Sequence, residues 1–465
     1  MINNCNNVGG LEEQLGYAAR VKEILNKRYD HTPLAFVNTY GCQQNVSDSE
    51  RIKGLLITMG YTLTDSAENA DFVIFNTCAV REHAEDRVFG NIGILKPIKE
   101  KRRDMLIAVC GCMAQQERVA ERLKKSYPFV DIVFGTHVRH RLPEFVYRRL
   151  KGEKRIFNIS DQNHEIIEGV PVSRDGKFKA WLPIMHGCNN FCTYCIVPYV
   201  RGREVSRTPE AILQEARELL KNGVKEITLL GQNVNSYIDQ NGELGFAKLL
   251  EDINAIEGDF RIRFMTSHPK DCTDKLLETM QKCQKVERHL HLPVQCGSDE
   301  ILKRMNRRYT VEDYLRLVDK ARELMPDIQL TSDIIVGFPG ESYEDFKKTL
   351  EIIERVKYYQ LFTFIYSKRE GTPAAIMEDK IKASEKSKWF TEMLGVQDKI
   401  AKDIGQALVG TTCRVLFEDY YDGNVTGRSS QYYNVTVKGD ESLVGNFANV
   451  LITEYDGSLK GKIID

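Results

Sequence analysis

No stretch of the 465 residues stays apolar long enough to span a bilayer. Its longest runs, such as Phe72 to Phe75 and Leu361 to Tyr366, are strand-sized, far short of the roughly 20 residues a membrane helix needs. The N-terminus, Met1-Ile2-Asn3-Asn4-Cys5, has neither a basic segment nor an apolar core, so no secretory signal is expected. There is no low-complexity tract. There is no Walker A sequence, which counts against thiolation driven by ATP. Surplus charge is also missing: 65 Lys and Arg face 66 Asp and Glu, a net charge of −1. Nothing global therefore advertises a nucleic-acid partner, although a local basic patch is enough for one. These absences point to a cytoplasmic globular chain, too long for a single core and divided into two to four domains.

What the sequence does have is twelve cysteines. In a reducing cytoplasm they are expected to be metal ligands, catalytic thiols or small core residues rather than disulfides. Three of them punctuate a repeated pattern of apolar strand, cysteine, helix. Leu34 to Thr39 precedes Cys42 and a helix opened by Ser47-Asp48-Ser49-Glu50, a capping-box pattern. Phe72 to Asn76 precedes Cys78, and Met105 to Cys110 precedes Cys112; a fourth strand, Val130 to Phe134, has no cysteine. Alternation at this spacing predicts a doubly wound parallel sheet. Function gathers at the carboxyl ends of such strands, where Cys42, Cys78 and Cys112 all fall.

The expected domains are a polar, partly helical extension over 1–32, an α/β domain over 33–150, and a charged linker over 151–178. A second strand–helix series over 179–402 has strands near Leu182–Met185, Glu226–Leu230, Ile262–Met265, His289–Val294, Leu330–Val336 and Leu361–Tyr366. Thr208-Pro209-Glu210 opens one of its helices with an N-cap and a proline at the first helical position. Six such units predict a partial (β/α)6 barrel with its working residues on loops after the strands. Over 403–465, period-2 segments such as Thr412 to Phe417, Tyr433 to Val437 and Asn449 to Glu454 predict a small antiparallel β-barrel.

Cys188-Asn189-Asn190-Phe191-Cys192-Thr193-Tyr194-Cys195 directly follows the first strand of the second series. Three thiolates from one tight loop leave one iron of a [4Fe–4S] cube without a protein ligand, and an open metal position is where substrate chemistry occurs. Zinc is the plain alternative, with His186 near enough to be a fourth ligand, but no second CxxC pair completes a usual zinc spacing. This loop, with an aromatic before its last cysteine, resembles that of the radical S-adenosylmethionine (SAM) superfamily. In that superfamily the open iron chelates SAM, and one electron cleaves the cofactor to a 5′-deoxyadenosyl radical that abstracts hydrogen.

Further segments resemble the methylthiotransferase family within it. Thr39-Tyr40-Gly41-Cys42-Gln43-Gln44-Asn45, Asn76-Thr77-Cys78-Ala79-Val80-Arg81 and Val109-Cys110-Gly111-Cys112-Met113-Ala114-Gln115 are similar to its N-terminal domain. Pro198-Tyr199-Val200-Arg201-Gly202-Arg203-Glu204, Leu230-Gly231-Gln232-Asn233-Val234-Asn235, His291-Leu292-Pro293-Val294-Gln295 and Ile334-Ile335-Val336-Gly337-Phe338-Pro339-Gly340-Glu341 are similar to its radical SAM domain. The final β segment, with Gly427-Arg428, resembles the RNA-binding TRAM domain. The resemblance covers about 33–465 and is strongest to members acting on isopentenyl-adenosine in tRNA. Members acting on a ribosomal-protein aspartate typically carry Leu-Gly-Cys followed by Lys-Asn in the first motif, where this chain has Tyr40-Gly41-Cys42-Gln43-Gln44-Asn45.

The resemblance implies that Cys188, Cys192 and Cys195 bind the SAM-cleaving cluster. It also implies that Cys42, Cys78 and Cys112 bind an auxiliary [4Fe–4S] cluster carrying the sulfur to be donated. Two SAM molecules would be consumed, one as methyl donor and one as radical source. Gln232, Asn233, Gln295, Arg308 and Asp333 are the candidate SAM contacts, against ordinary turn or ion-pair roles. The implied partners are a tRNA anticodon stem-loop and an electron donor such as flavodoxin or ferredoxin; the protein is expected to be monomeric.

Cys296, where the family more often has serine, and Cys110 are expected to be core residues, and Cys5, Cys272, Cys283 and Cys413 inert thiols. Basic groups cluster at Lys96 to Arg103, Arg139 to Lys154 and Lys303 to Arg308. From Ile404 onward five Lys and Arg face eight Asp and Glu, so this barrel cannot hold RNA by charge alone. Its Tyr420, Tyr421, Tyr432 and Tyr433 are candidates either to stack on bases or to pack the barrel. Two rival functions stand beside the main one. One is methylthiolation of a threonylcarbamoyl-adenosine or a protein; the other is a non-catalytic RNA-binding protein whose metals only hold the fold.

Overall fold

The computed structural model describes residues 8–79, 82–159, 166–239, 241–243 and 245–464. Cys5 and the Val80-Arg81 end of the second cysteine motif lie outside them. The chain forms two compact units: Met1–Asp175 with Met185–Asn189 and Cys195–Arg207, and Gly176–Ile184 with Asn190–Tyr194 and Thr208–Asp465.

The first unit is a six-stranded sheet of β1 (Leu34–Thr39), β2 (Thr62–Leu63), β3 (Phe72–Thr77), β4 (Leu106–Gly111), β5 (Ile132–Phe134) and β6 (Ile156–Asn158). The strand order is β2-β1-β3-β4-β5-β6, parallel throughout. Because side chains alternate across a strand, the sheet feeds two apolar layers. Phe72, Ile74, Ala108 and Cys110 pack on one side with α1 (Val8–Arg28), α2 (Gln43–Thr58) and α6 (Leu142–Leu150). Val73, Phe75, Ile107 and Val109 pack on the other with α3 (Glu82–Ile94) and α5 (Glu117–Ser126), while α4 (Lys96–Lys101) runs along the surface. The N-terminal stretch contributes Ala18, Val21 and Leu25, a stripe at helical spacing, to the first layer. Chain order reverses between β1 and β3, and at such a switch point the loops diverge and leave a crevice.

One local expectation is corrected. The helix after Cys42 does not open at Ser47; α2 starts at Gln43 with Cys42 as N-cap, and Ser47, Asp48, Ser49 and Glu50 are buried inside it. They serve as tertiary partners instead of a cap. Ser49 Oγ accepts from Asn76 Nδ2 at 2.9 Å, and Glu50 pairs with Arg174 at 3.0 Å.

In the second unit β7 (Lys179–Pro183) starts a parallel barrel segment. The chain then passes through the first unit's small hairpin, β8 (Met185–His186) with β9 (Val205–Ser206), and its short helix α7 (Val197–Arg201). Back in the second unit, β10 (Glu226–Leu230) lies between β7 and β11 (Arg261–Phe264), while β13 (Gln329–Val336) lies between β12 (His289–His291) and β14 (Gln360–Ile365). Parallel pairing of Ile262 with Val286 links the two halves, giving six strands in sequence order. The intervening helices are α8 (Pro209–Lys221), α9 (Phe246–Asn254), α10 (Asp274–Lys282), α11 (Asp299–Arg304), α12 (Val311–Leu324) and α13 (Tyr343–Val356). Thr208 caps α8 as expected, accepting from Ala211 N. The fourth strand stops at His291 rather than Val294, since Pro293 has no N–H to give; pairing resumes only at Gln295 with Ile334.

A long helix, α14 (Ala383–Ala407), leads to a closed barrel of β15 (Thr412–Tyr421), β16 (Asn424–Ser429), β17 (Asn434–Lys438), β18 (Phe447–Tyr455) and β19 (Leu459–Ile463). Four of its pairings are antiparallel; β17 with β19 is parallel, a departure from the purely antiparallel expectation. The barrel is anchored on β11 by buried arginines. Arg261 donates to the Arg428 carbonyl at 2.8 Å and Arg263 to that of Ser429 at 2.6 Å, and both guanidinium groups pair with buried Glu226.

Candidate iron–sulfur and SAM sites

In the first unit, the ends of β1, β3 and β4 are level, with Thr39 opposite Asn76 and Thr77 opposite Gly111. This brings Cys42, Cys78 and Cys112 together at the switch point. Asn45 ties them. Its Oδ1 lies 4.0 Å from Cys42 Sγ and 3.9 Å from Cys112 Sγ, while its Nδ2 donates to the carbonyls of Tyr40 (2.8 Å) and Thr77 (3.1 Å). Close approach requires glycine at two places. A Cβ on Gly41 (φ +133°) would stand 2.6 Å from Cys78 Cβ, and one on Gly111 (φ +91°) 2.5 Å from the Thr77 carbonyl oxygen. Cys78 and Cys112 are buried and Cys42 is exposed, so the triad has a closed floor and an open side.

A buried guanidinium completes this floor. Arg201 Nε donates to Cys112 Sγ at 3.1 Å, and its Nη2 donates to Asn45 Oδ1 at 2.6 Å and Asp48 Oδ2 at 3.0 Å. Burial alone would raise the Asp48 carboxyl, but Arg139 and Arg201 outweigh it and hold the group well below the usual carboxylate range. Burial pushes the Cys112 thiol up to about 12, opposed by Arg201. A buried sulfur beside a fixed positive charge suits a ligand that is anionic only when metallated. Arg201→Met should leave Asp48 buried with half its compensation gone, destabilising the unit by about 3–5 kcal/mol. Urea unfolding of the metal-free protein measures this, and a loss below about 1 kcal/mol would show the pair to be dispensable.

Each part of the Cys188–Cys195 segment is held within its own unit. In the first unit Cys188 N donates to the Gly202 carbonyl at 3.1 Å and Asn189 N to Glu204 at 3.0 Å. In the second, Thr193 donates from N and Oγ1 to the carbonyls of Met305 (3.0 Å) and Arg304 (2.9 Å). Asn306 Nδ2 donates to those of Asn190 (3.1 Å) and Phe191 (3.0 Å), holding Phe191 at φ +47°. Arg307 is buried, with Nη1 3.5 Å from Cys192 Sγ.

His186 Nε2 faces the Arg139 guanidinium at 3.2 Å, and burial together with that charge pushes the imidazole pKa well below its usual range. Among the described residues no three His, Cys, Asp or Glu side chains close on a single metal ion.

The SAM candidates are disposed unequally. Asn233 is buried, donates from Nδ2 to Asp271 at 2.7 Å, and among the described residues leaves its Oδ1 without a hydrogen-bond partner, while Gln232 is half-buried beside it. Gln295 is buried at φ +72°, its N–H donating to the Asp333 carbonyl at 2.9 Å. The Asp333 carboxylate lies 3.6 Å from His291 Nε2. Arg308 is exposed; its neighbour Arg307 is the arginine beside Cys192. Sequence reasoning missed the site roles of Asn45, Asp48, Arg201 and Arg307: Asn45 and Arg201 lie within the family-like segments, Asp48 reads as part of a helix cap and Arg307 as one of a basic cluster.

The other cysteines among the described residues are in packing. Cys110 is in the apolar layer beneath α2, Cys272 and Cys283 are buried, Cys413 is half-buried, and Cys296 lies 3.6 Å from Thr349 Oγ1. In the first two basic clusters several groups are neutralised: Lys99 and Arg149 pair with Asp131, Arg102 with Asp71, and Arg148 with Glu144 and Glu153.

Residues 182–353 match the Radical SAM superfamily, and residues 35–135 match the Uncharacterized protein family UPF0004. The chain is 49% identical over 457 residues to a tRNA-2-methylthio-N(6)-dimethylallyladenosine synthase of Acetivibrio thermocellus, covering 97% of this chain and 94% of that protein. A protein of the same name from Thermoanaerobacter sp. is 48% identical over 465 residues, with 99% of each covered. The chain belongs to the radical SAM methylthiotransferase family. As such it is an enzyme that works with a [4Fe–4S] cluster and SAM.

Solved structures agree on the fold. The radical S-adenosylmethionine methyltransferase TsrM from Kitasatospora setae superposes with a TM-score of 0.54 at 14% identity, covering 85% of this chain and 81% of that one. The apo form of the cobalamin-dependent radical enzyme OxsB gives 0.52 at 14% identity; this chain spans 57% of its length. Among the described residues no helix is long and apolar enough to cross a membrane.

Proposed function

We propose that this methylthiotransferase converts N6-isopentenyladenosine, next to the anticodon of tRNA, to its 2-methylthio derivative, using one SAM as methyl donor and one as radical source. The observation that carries this reading is near-half identity over almost the whole chain to proteins named for that product. The second cysteine triad at the switch point, with Arg201 beneath it, supports a sulfur-carrying role.

On this reading Cys188, Cys192 and Cys195 hold the SAM-cleaving cluster, and Cys42, Cys78 and Cys112 hold a second [4Fe–4S] cluster. When bound, these clusters supply the electron for SAM cleavage and the sulfur for transfer. The protein's own residues orient and shield them. Asn306 and Thr193 fix the SAM loop, Asn45 and the Arg201–Asp48 pair fix the other, and Gln232, Asn233, Gln295, Arg308 and Asp333 are the SAM contacts. The unpartnered Asn233 Oδ1 is an acceptor ready for an ammonium group. The α/β domain over 33–150, the SAM barrel over 179–402 and the RNA-binding barrel over 403–465 act together in one cytoplasmic monomer, reduced by a flavodoxin or ferredoxin. With methyl-deuterated SAM, each product should carry one deuterated methyl and be accompanied by one 5′-deoxyadenosine. A product made without 5′-deoxyadenosine would sink the two-SAM scheme.

The C-terminal barrel divides its tyrosines. Tyr433 packs edge-on against Tyr359 and Tyr432 stacks on His289, whereas Tyr420 and Tyr421 at a hairpin end are 43% and 82% exposed. Only the exposed pair is available to bases, at about 1–3 kcal/mol per stacked base. Replacing both Tyr420 and Tyr421 by serine should weaken tRNA binding by at least fivefold in a filter-binding assay with iron content intact. Unchanged affinity would remove this hairpin from the RNA contact. Deleting the barrel is a poorer test, because it would uncover Arg261, Arg263 and Glu226.

A further inference from the structure

Two buried guanidinium groups touch cluster-ligand sulfurs, and their surroundings differ. Arg201, on Cys112, has Asp48 at 3.0 Å to balance it. Arg307, on Cys192, has none of that. Its Nη1 is 3.5 Å from Cys192 Sγ, its Nε donates to Tyr309 Oη at 2.9 Å, and its Nη2 donates to the Pro293 carbonyl at 2.7 Å. All these partners are neutral apart from the cysteine, and among the described residues no carboxylate pairs with it. Tyr309 in turn donates to the Val294 carbonyl at 2.8 Å, so the guanidinium is fixed in place by side chain and backbone alike.

An unbalanced charge in a buried, low-dielectric place acts strongly on its neighbour. The potential of an iron–sulfur cluster follows net charge, hydrogen bonds to its sulfurs and solvent exposure. Arg307 supplies the first two at Cys192, and both favour the reduced, more negative state. We propose that Arg307 raises the reduction potential of the SAM-cleaving cluster, bringing it within reach of a one-electron donor of the ferredoxin or flavodoxin kind. Arg307 is thus a positioning and tuning residue acting through Cys192. The inference rests on the reading of Cys188, Cys192 and Cys195 as ligands, and is independent of the second cluster and of the RNA substrate.

The test is a redox titration, followed by electron paramagnetic resonance, of the full chain reconstituted with iron and sulfide. Cys42, Cys78 and Cys112 are replaced by alanine throughout, so that a single cluster is read. At the potential where the parent is half reduced, Arg307→Gln should show a reduced-to-oxidised ratio at least tenfold lower, a shift of about 59 mV for one electron. Arg307→Lys, which keeps the charge, should recover at least half of that shift. With a reductant poised at the parent midpoint, 5′-deoxyadenosine formation by Arg307→Gln should fall at least fivefold, and a stronger reductant such as titanium(III) citrate should restore it. An unmoved midpoint in Arg307→Gln at full iron content overturns the proposal, as does a lysine variant displaced as far as the glutamine one. If Arg307→Gln loses its cluster, the lysine variant alone decides: a midpoint displaced tenfold or more refutes the charge argument, and one near the parent supports it. A signal that survives replacement of Cys188, Cys192 and Cys195 overturns the ligand assignment itself, a result distinct from an unmoved midpoint.

Discussion

Enzyme with alanine at Cys188, Cys192 and Cys195 is expected to form no 5′-deoxyadenosine, while enzyme with alanine at Cys42, Cys78 and Cys112 forms it and makes no methylthio product. The separation follows from where the triads sit. One is a single loop after the first barrel strand; the other is assembled from the ends of β1, β3 and β4, in a sheet with its own two apolar layers. On the proposed assignment, removing three thiolates from either should delete the metal there without dismantling the other fold. Reductive cleavage needs only the cluster that chelates SAM, so the second variant should retain cleavage and lose only sulfur transfer. Iron analysis and chromatography of 5′-deoxyadenosine and nucleosides measure both halves. Methylthioadenosine from the second variant would remove the sulfur-carrying role of Cys42, Cys78 and Cys112.

The second large effect is expected on the substrate. Among matched anticodon stem-loops, the isopentenyl form should be turned over in strong preference to unmodified adenosine. Carbon 2 lies on the base edge, so the base must leave its stack and enter a pocket to be reached. Burying five more carbons is worth about 4 kcal/mol if the pocket fits them, close to a thousandfold in kcat/KM. Polar threonylcarbamoyl would find no partners in an apolar pocket and should compete poorly. Competition between the three stem-loops gives the ratios directly. Preference for the threonylcarbamoyl form would move the chain to a sister subfamily.

Legibility in the sequence followed physical range. Strands β3 and β4 announce themselves because both faces are buried and each carries an uninterrupted apolar run, Phe72 to Phe75 and Leu106 to Cys110. Cys78 and Cys112, each one residue past its strand, then make the carboxyl edge a candidate site. Strands β2 and β6, two and three residues long, carry too little pattern to see. Strands β16 and β19 contain Gly427 and Gly461, whose missing side chains admit the Leu416 and Leu451 backbones. Ser47 to Glu50 read as a cap because a cap and a buried polar helix face use the same residues; only tertiary partners tell them apart. The Arg201–Asp48 pair spans 153 residues and leaves no local trace. Arg307 and Arg308 are identical in composition, and the chain's turn at Asn306 (φ +59°) decides which one is buried beside Cys192.

The central claim, that this enzyme adds a methylthio group to an adenosine of tRNA, is tested most directly by mass spectrometry. The nucleosides to analyse come from isopentenylated tRNA incubated with reconstituted enzyme, SAM, sulfide and reductant. The account predicts that isopentenyladenosine is consumed and replaced by a nucleoside in which one hydrogen has become a methylthio group. Unaltered isopentenyladenosine, under conditions where the same enzyme forms 5′-deoxyadenosine, would contradict it.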